Sequence, residues 1–406
     1  MDFELGVEGE QRLRGLLNRI GEALGSEERR ASFALYAMGL LTEGERKSVE
    51  PIAARCCGDP QEVDRLHQRL LHFLSDSPWS DEEVRGIAAR YAVRAMEGRE
   101  PIETWIVDDT GFIKQGTHSV GVQRQYTGSI GKVTNCQIGV SLSLTTRTEH
   151  VPVDFALYLP KSWAEDVKRR AEARIPPAVE FKTKPELALE LIRQAVKNDL
   201  PRGVVLADSA YGNSSFFREE IRSLGLRYAV GIQETTKVWT VDALRRGRES
   251  MTVLELAKKV GREGFRATEW RQGTRGILWS KFAMRRVVVS HDDGTPPLKR
   301  EELWLLMEWP DNESAPTKSF LASLPKNTSR KQLVRLVKER YRTERMYEDM
   351  KGELGLDHFE GRRFSGWHHH VSVALCCYAF VVAERVRHFP PSARGARHSG
   401  SNPIAA

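Results

Sequence analysis

Two short apolar runs in this 406-residue chain end in acids: TWIVDD at 104–109 and GVVLAD at 203–208. β-Branched and aromatic residues of this kind favour a pleated, buried strand. Negative charge at the end of such a strand is either a solvated Asp turn or a site at the edge of a sheet. Two of them, roughly a hundred residues apart, could bring an acid of the Asp108–Asp109 pair and Asp208 to one sheet edge. Successive strand residues face opposite sides, so Asp108 and Asp109 are not expected to serve one site together.

The segments around these runs point to a mixed α/β sheet. SVGVQRQYT, NCQIGVSLSLTT and VPVDFALYL read as further strands beside the first run. ELALELIRQAVK (186–197) and SSFFREEIRSLG (214–225) have helical spacing around GVVLAD, and RYAVGI (227–232) is one more strand. Before them, residues 1–98 are expected to be an all-helical domain. Leu13, Leu16, Leu17 and Ile20 share a helical face there, and Ser80 with Glu83 forms a capping box. After them, 233–328 reads as a β-rich insertion that holds Trp239, Trp270, Trp279, Trp304 and Trp309. Strands and helices thus divide the chain into the helical domain, a core of 99–232, the insertion, a C-terminal helical part of the core at 329–389, and a polar tail at 390–406. VSVALCCYAFVVA (371–383) is too short for a membrane span and reads as a buried helix or strand.

A third acid is expected from the helix that begins near 330. Arg340, Glu344 and Lys351 are spaced by four and seven residues, so they project from one face that starts apolar at Leu333 and Val337. Glu348, one turn on, is the alternative acid. Two Asp and one Glu suit Mg²⁺ or Mn²⁺, hard cations that prefer carboxylate oxygens and are completed by phosphates. Acids at strand ends plus one on a helix is the arrangement expected of a ribonuclease-H-like nuclease.

Other chemistries fit less well. An aspartyl-phosphatase motif would need an acid where Val107 stands, and no G-x-x-x-x-G-K-[ST] loop is present. Consecutive His368, His369 and His370 do not share a face and read as surface or phosphate-contact residues. The five cysteines include no C-x-x-C pair, and the N-terminus has no apolar signal segment, which points to a reducing cytoplasm. The net charge of +7 suits a polyanionic partner.

On these residues the chain resembles the DDE transposases of bacterial insertion sequences, in the cut-and-paste branch whose third motif is Tyr-x-x-Arg-x-x-x-Glu-x-x-x-x-x-x-Lys. Arg340, Glu344 and Lys351 fit that spacing, while Val337 stands at the Tyr position. VDDTGF, LADSAYG and KGELGLDHFEGRRFSGWHHH also resemble blocks of that family, which together cover roughly 100–385. The resemblance implies a ribonuclease-H-like core in which Asp109, Asp208 and Glu344 hold two Mg²⁺ or Mn²⁺ ions. It implies cleavage at transposon ends and transfer of the 3′-hydroxyls into target DNA by a homodimer on double-stranded DNA. It places the protein in the bacterial cytoplasm at the nucleoid, with no membrane partner. Arg340 and Lys351 would hold phosphates, as would Lys114 near the first acid. In the insertion, Arg271, Arg275, Trp279, Arg285 and Arg286 interleave rings and cations in the way that grips distorted DNA ends. The insertion is implied to assist a hairpin step, and the N-terminal helices to bind the terminal inverted repeats. A domesticated nuclease without strand transfer, or a non-catalytic DNA-binding protein, are the alternatives.

Overall fold

The structure, a computed structural model, describes residues 6–128, 130–290 and 296–389. The tail expected at 390–406 lies outside the described residues. The first five helices are α1 (Val7–Leu24), α2 (Glu27–Leu41), α3 (Val49–Cys56), α4 (Val63–Ser75) and α5 (Asp81–Glu97). Leu13, Leu16, Ile20 and Leu24 recur every three or four residues along α1, and all are buried. The Ser26 and Ser80 hydroxyls accept the amides of Arg29 and Glu83, which satisfies otherwise orphaned donors at the starts of α2 and α5.

The period then changes from helix to strand. β1 (Thr104–Ile113) is flanked in sequence by β2 (Gln123–Thr127), β3 (Lys132–Thr145) and β4 (His150–Tyr158). β3 is long enough to serve three neighbours, pairing antiparallel with β1 along its length, with β2 near one end and with β4 along the other. Two short helices the sequence reading did not anticipate follow, α6 (Lys161–Ala164) and α7 (Val167–Ala173). α8 (Lys184–Lys197) opens with a complete capping box between Thr183 and Glu186. β5 (Val204–Ala207) runs parallel to β1, and after α9 (Ser209–Gly212) and α10 (Ser215–Ser223), β6 (Tyr228–Ile232) runs parallel to β5. The order β4–β3–β1–β5–β6, with only the β1-to-β6 side parallel, is a ribonuclease-H-like mixed sheet preceded by a helical region.

The 233–328 segment does contain the expected strands, but they do not form a sheet of their own. β7 (Lys237–Thr240), α11 (Val241–Arg245), β8 (Met251–Thr252) and α12 (Val253–Val260) lead into β9 (Arg266–Gly273), β10 (Gly276–Val289), β11 (Leu303–Glu308) and β12 (Lys318–Ala322). β12 returns to pair antiparallel with β6, Ser319 opposite Ile232 and Ala322 opposite Ala229. The twelve strands therefore share one sheet, continuing β6–β12–β11–β10–β7–β8.

The helix expected from 330 is two helices, α13 (Arg330–Lys338) and α14 (Tyr341–Leu354). At their junction the bonds tighten from four residues to three, with Thr343 N–H donating to the Arg340 carbonyl. α15 (Phe364–His388) contains the whole VSVALCCYAFVVA run as a helix, packed against α2, α4, α5 and β4. No helix among the described residues is long and apolar enough to cross a membrane. Arg85 of α5 donates to Asp154 of β4 at 2.6 Å and to Ser372 of α15 at 2.8 Å, tying the helical region to the core.

The histidine triplet is a correction. His369 and His370 are buried, not on the surface, because α15 turns them toward the helical region. The His369 ring stacks on Trp79 at 3.8 Å. The Tyr36 hydroxyl donates to His370 Nδ1 at 2.9 Å, and His370 Nε2–H donates to the Leu356 carbonyl at 3.2 Å. His368 lies on the partly buried side, its Nδ1–H 3.0 Å from the Phe364 carbonyl.

Candidate active site

The register of β1 and β5 decides which acids can meet. Ile106 lies beside Leu206, and both join the apolar cluster under α13. Two residues further on, alternation returns each strand to the same face, and Asp108 and Asp208 stand there. Asp208 is the extended residue that caps α9, its Oδ1 accepting the Ala210 amide at 2.8 Å. Asp108 sits mid-strand opposite Ser141 of β3.

Arg340, at the junction before α14, reaches between the two acids. Its Nη2 is 3.1 Å from Asp108 Oδ2 and 3.9 Å from Asp208 Oδ2. Burial pushes the Asp108 carboxyl up to about 6, and the neighbouring Asp109 and Asp208 charges push the same way, against Arg340. Burial lowers the Arg340 guanidinium pKa, but the attraction of Asp108, Asp208 and Glu344 leaves it raised overall. The Arg340 Nε is buried without a hydrogen-bond partner. Glu344 is exposed in the first turn of α14.

Lys351 closes the same face two residues along the strand from Asp108. Its ammonium donates to Thr110 Oγ1 at 2.9 Å and to the Gly111 carbonyl at 2.8 Å, and burial lowers its pKa. Tyr347, buried one turn before Lys351, shares a 2.6 Å hydrogen bond with Ser141, and burial raises its phenol well above the ordinary range.

Asp109 is held differently from its neighbour. The sequence reading put it first among the acids, but the strand turns it to the opposite face, the face of Trp105 and Val107. There Lys184 Nζ donates to its Oδ1 and the Tyr211 hydroxyl to its Oδ2, each at 2.9 Å. Asp109 thus meets Lys184 and Tyr211, whereas Asp108 and Asp208 share a face with Arg340. Among the described residues, no three His, Cys, Asp or Glu side chains are gathered closely enough to hold a metal ion. Glu348, the alternative acid, points outward and lies 3.6 Å from Arg345.

The other expected DNA contacts are distributed unevenly. Lys114 donates to the backbone carbonyl of Phe359 at 2.5 Å, so its ammonium braces a loop. Arg285 donates to the Met284 carbonyl at 2.9 Å. Arg286 lies 3.5 Å from Glu302 and 4.8 Å over the Trp304 ring. Arg275 and Trp279 remain exposed on the β9–β10 hairpin. Arg271 lies 3.4 Å over the ring of Tyr341, the residue after Arg340, and so links the insertion to this face. Val337, at the family's Tyr position, is buried in the apolar cluster under α13. The sequence reading missed Lys184, Tyr211, Tyr341 and Tyr347. Only Tyr211 carried a local signal, three residues after Asp208 in LADSAYG.

With this geometry in hand, two family models match the chain. That of the DDE superfamily endonucleases covers residues 19–277, and that of the transposase DDE domain covers 182–380. The chain belongs to the DDE superfamily of endonucleases. The chain is also similar to a curated relative from Microchaete diplosiphon, the "Probable transposase for insertion sequence element IS701". It is 30% identical to it over 203 residues, which is 50% of this chain and 48% of the relative. The chain thus spans about half the length of the curated relative it matches.

Proposed function

We propose that this protein is the transposase of an insertion sequence, cutting DNA at the element's ends and joining the freed 3′-hydroxyls to target DNA. The observation that carries this reading is the side-by-side placement of Asp108 and Asp208 with Arg340 between them, on the segment that continues into Glu344 and Lys351. Family membership and the similarity to the IS701 protein support it.

The donor set fits a hard divalent cation. Asp108 and Asp208 are carboxylates already close enough to share the single positive charge of Arg340. Asp108, Asp208 and Glu344 would hold two Mg²⁺ or Mn²⁺ ions. When bound, such ions activate the attacking oxygen and stabilise the leaving oxygen of a phosphodiester. The chain's own residues supply position and charge. Arg340 presents fixed donors of the type that grip phosphate in two places. Lys351 holds the β1 segment next to Asp108 and adds a cation within the same face. Tyr347 and Met346 are buried behind these groups, against Ser141 and Ser143 of β3. Arg275 and Trp279 offer a charge and a stacking surface to DNA, and Arg271 ties that hairpin to Tyr341. Two ends must be joined, so two copies act on one element in the cytoplasm, where the nucleoid DNA lies.

The test is incubation of the protein with duplexes bearing the element's end sequences, with Mg²⁺ and with chelator. Wild type is expected to nick and join ends only with the metal. Asp108→Ala and Asp208→Ala are expected to bind the same DNA and cut none of it. Metal-independent cutting, or full activity of both variants, overturns the reading. Cutting without joining would favour a domesticated nuclease.

A further inference from the structure

Asp109 stands one residue from Asp108 and is turned away from it. The face it occupies is apolar along the rest of the strand, where Trp105 and Val107 are buried. A carboxylate placed there loses hydration unless donors replace it. Two donors do, and one of them comes from the turn that Asp208 caps. Lys184 is the first residue of α8, held in place by the Thr183–Glu186 capping box. Tyr211 is buried and belongs to α9, the single turn that Asp208 caps.

The connection is short. Asp208 opens α9, Tyr211 lies three residues later, and its hydroxyl donates to Asp109 at 2.9 Å. α9 is pressed against β6 on its other side: a Cβ at Gly212 would stand 2.0 Å from the Gly231 carbonyl oxygen. The turn that carries Asp208 is therefore held between β6 and the Asp109 carboxylate. Asp108 and Asp208 share one face, and Asp109 lies on the reverse face of β1.

We infer that Asp109 is a positioning residue: with its charge balanced by Lys184, it fixes the Asp208 turn through Tyr211 against the strand that carries Asp108, and so sets how tightly the two acids bind a divalent cation. The inference rests on the proposed function. A carboxylate is required because it accepts from both donors at once. An amide presents one acceptor oxygen and turns its NH₂ toward the other donor.

The test reads metal binding by the whole protein without DNA, as loss of the free Mn²⁺ signal in electron paramagnetic resonance, beside thermal unfolding. Tyr211→Phe and Asp109→Asn are expected to weaken Mn²⁺ binding about tenfold, the lower end of the effect of losing such a supporting partner. Asp108→Ala is expected to abolish it. In end-cleavage assays the same two variants should recover toward wild-type rates as Mn²⁺ is raised, with unchanged DNA affinity. Unchanged Mn²⁺ affinity in Tyr211→Phe and Asp109→Asn, with only a lower melting temperature, overturns the positioning role and leaves the nuclease reading standing. Loss of Mn²⁺ binding in Asp109→Asn with retention in Asp108→Ala also overturns it, by making Asp109 a ligand. Failure of the wild type to bind Mn²⁺, or wild-type affinity in Asp108→Ala, overturns both.

Discussion

Arg340 Nη2 lies 3.1 Å from Asp108 Oδ2 and 3.9 Å from Asp208 Oδ2, so one guanidinium sits where the charge of two carboxylates is concentrated. It competes there with any other cation. In Arg340→Ala that competition is gone, and Mn²⁺ affinity of the DNA-free protein is expected to rise about tenfold, the effect of one opposite charge at this range. End cleavage is expected to fall by about a hundredfold, as when one fixed donor to a developing charge is lost. Titration with Mn²⁺ and single-turnover cleavage check the two halves. Weaker metal binding in the variant would contradict the competition.

Stability should fall on mild acidification. Burial lowers His370 to about 4 and His150 to about 3. Both folded values lie below the ordinary histidine value of 6.5. The unfolded chain therefore binds protons that the native protein refuses as pH drops. The contribution is complete above about pH 6.5 and is lost progressively toward pH 4, at up to about 1.4 kcal/mol per unit for each group. Urea unfolding at pH 7, 6 and 5 should show the decline. His370→Gln should flatten it, and an identical slope in the variant would reject His370 as a source.

Trp279 is 48% exposed, and Arg275 is exposed in the turn of the same β9–β10 hairpin. Trp279→Ala should leave stability within about 0.5 kcal/mol, as for other surface changes. It should weaken binding of frayed or single-stranded ends by about 1–3 kcal/mol if a base stacks on the ring. Fluorescence anisotropy with blunt and frayed ends separates the two. Equal affinity of wild type and variant for frayed ends would remove the ring from the DNA interface.

Gly212 has no room for a side chain against the Gly231 carbonyl and Val230. Gly212→Ala should therefore cost about 1–3 kcal/mol, the range for overpacking. Chemical denaturation measures it. A variant as stable as wild type would mean that α9 can slide along β6.

Much of the core was legible because each strand carries its own signature. β1, β3, β5 and β6 stand where β-branched runs and their turn residues placed them. The acids were legible as types and not as a set. Local pattern shows that Asp108 and Asp109 face opposite ways, but not which of them faces Asp208. That follows from the pairing of Ile106 with Leu206, a long-range register. The same limit hid the insertion's attachment, since the pairing of β12 with β6 joins residues about ninety apart in sequence. His369 and His370 looked polar in sequence and are buried because Tyr36 and backbone carbonyls of other segments supply their partners. The break between α13 and α14 has no proline or glycine to announce it.

β6 has β5 on one flank and β12 on the other. A truncation that excised 233–328 would strip that second flank and leave a bare row of amides and carbonyls, a template for misassociation between chains. The segment cannot be treated as a detachable accessory, and shortened variants should be built by trimming the β9–β10 hairpin while β11 and β12 are kept.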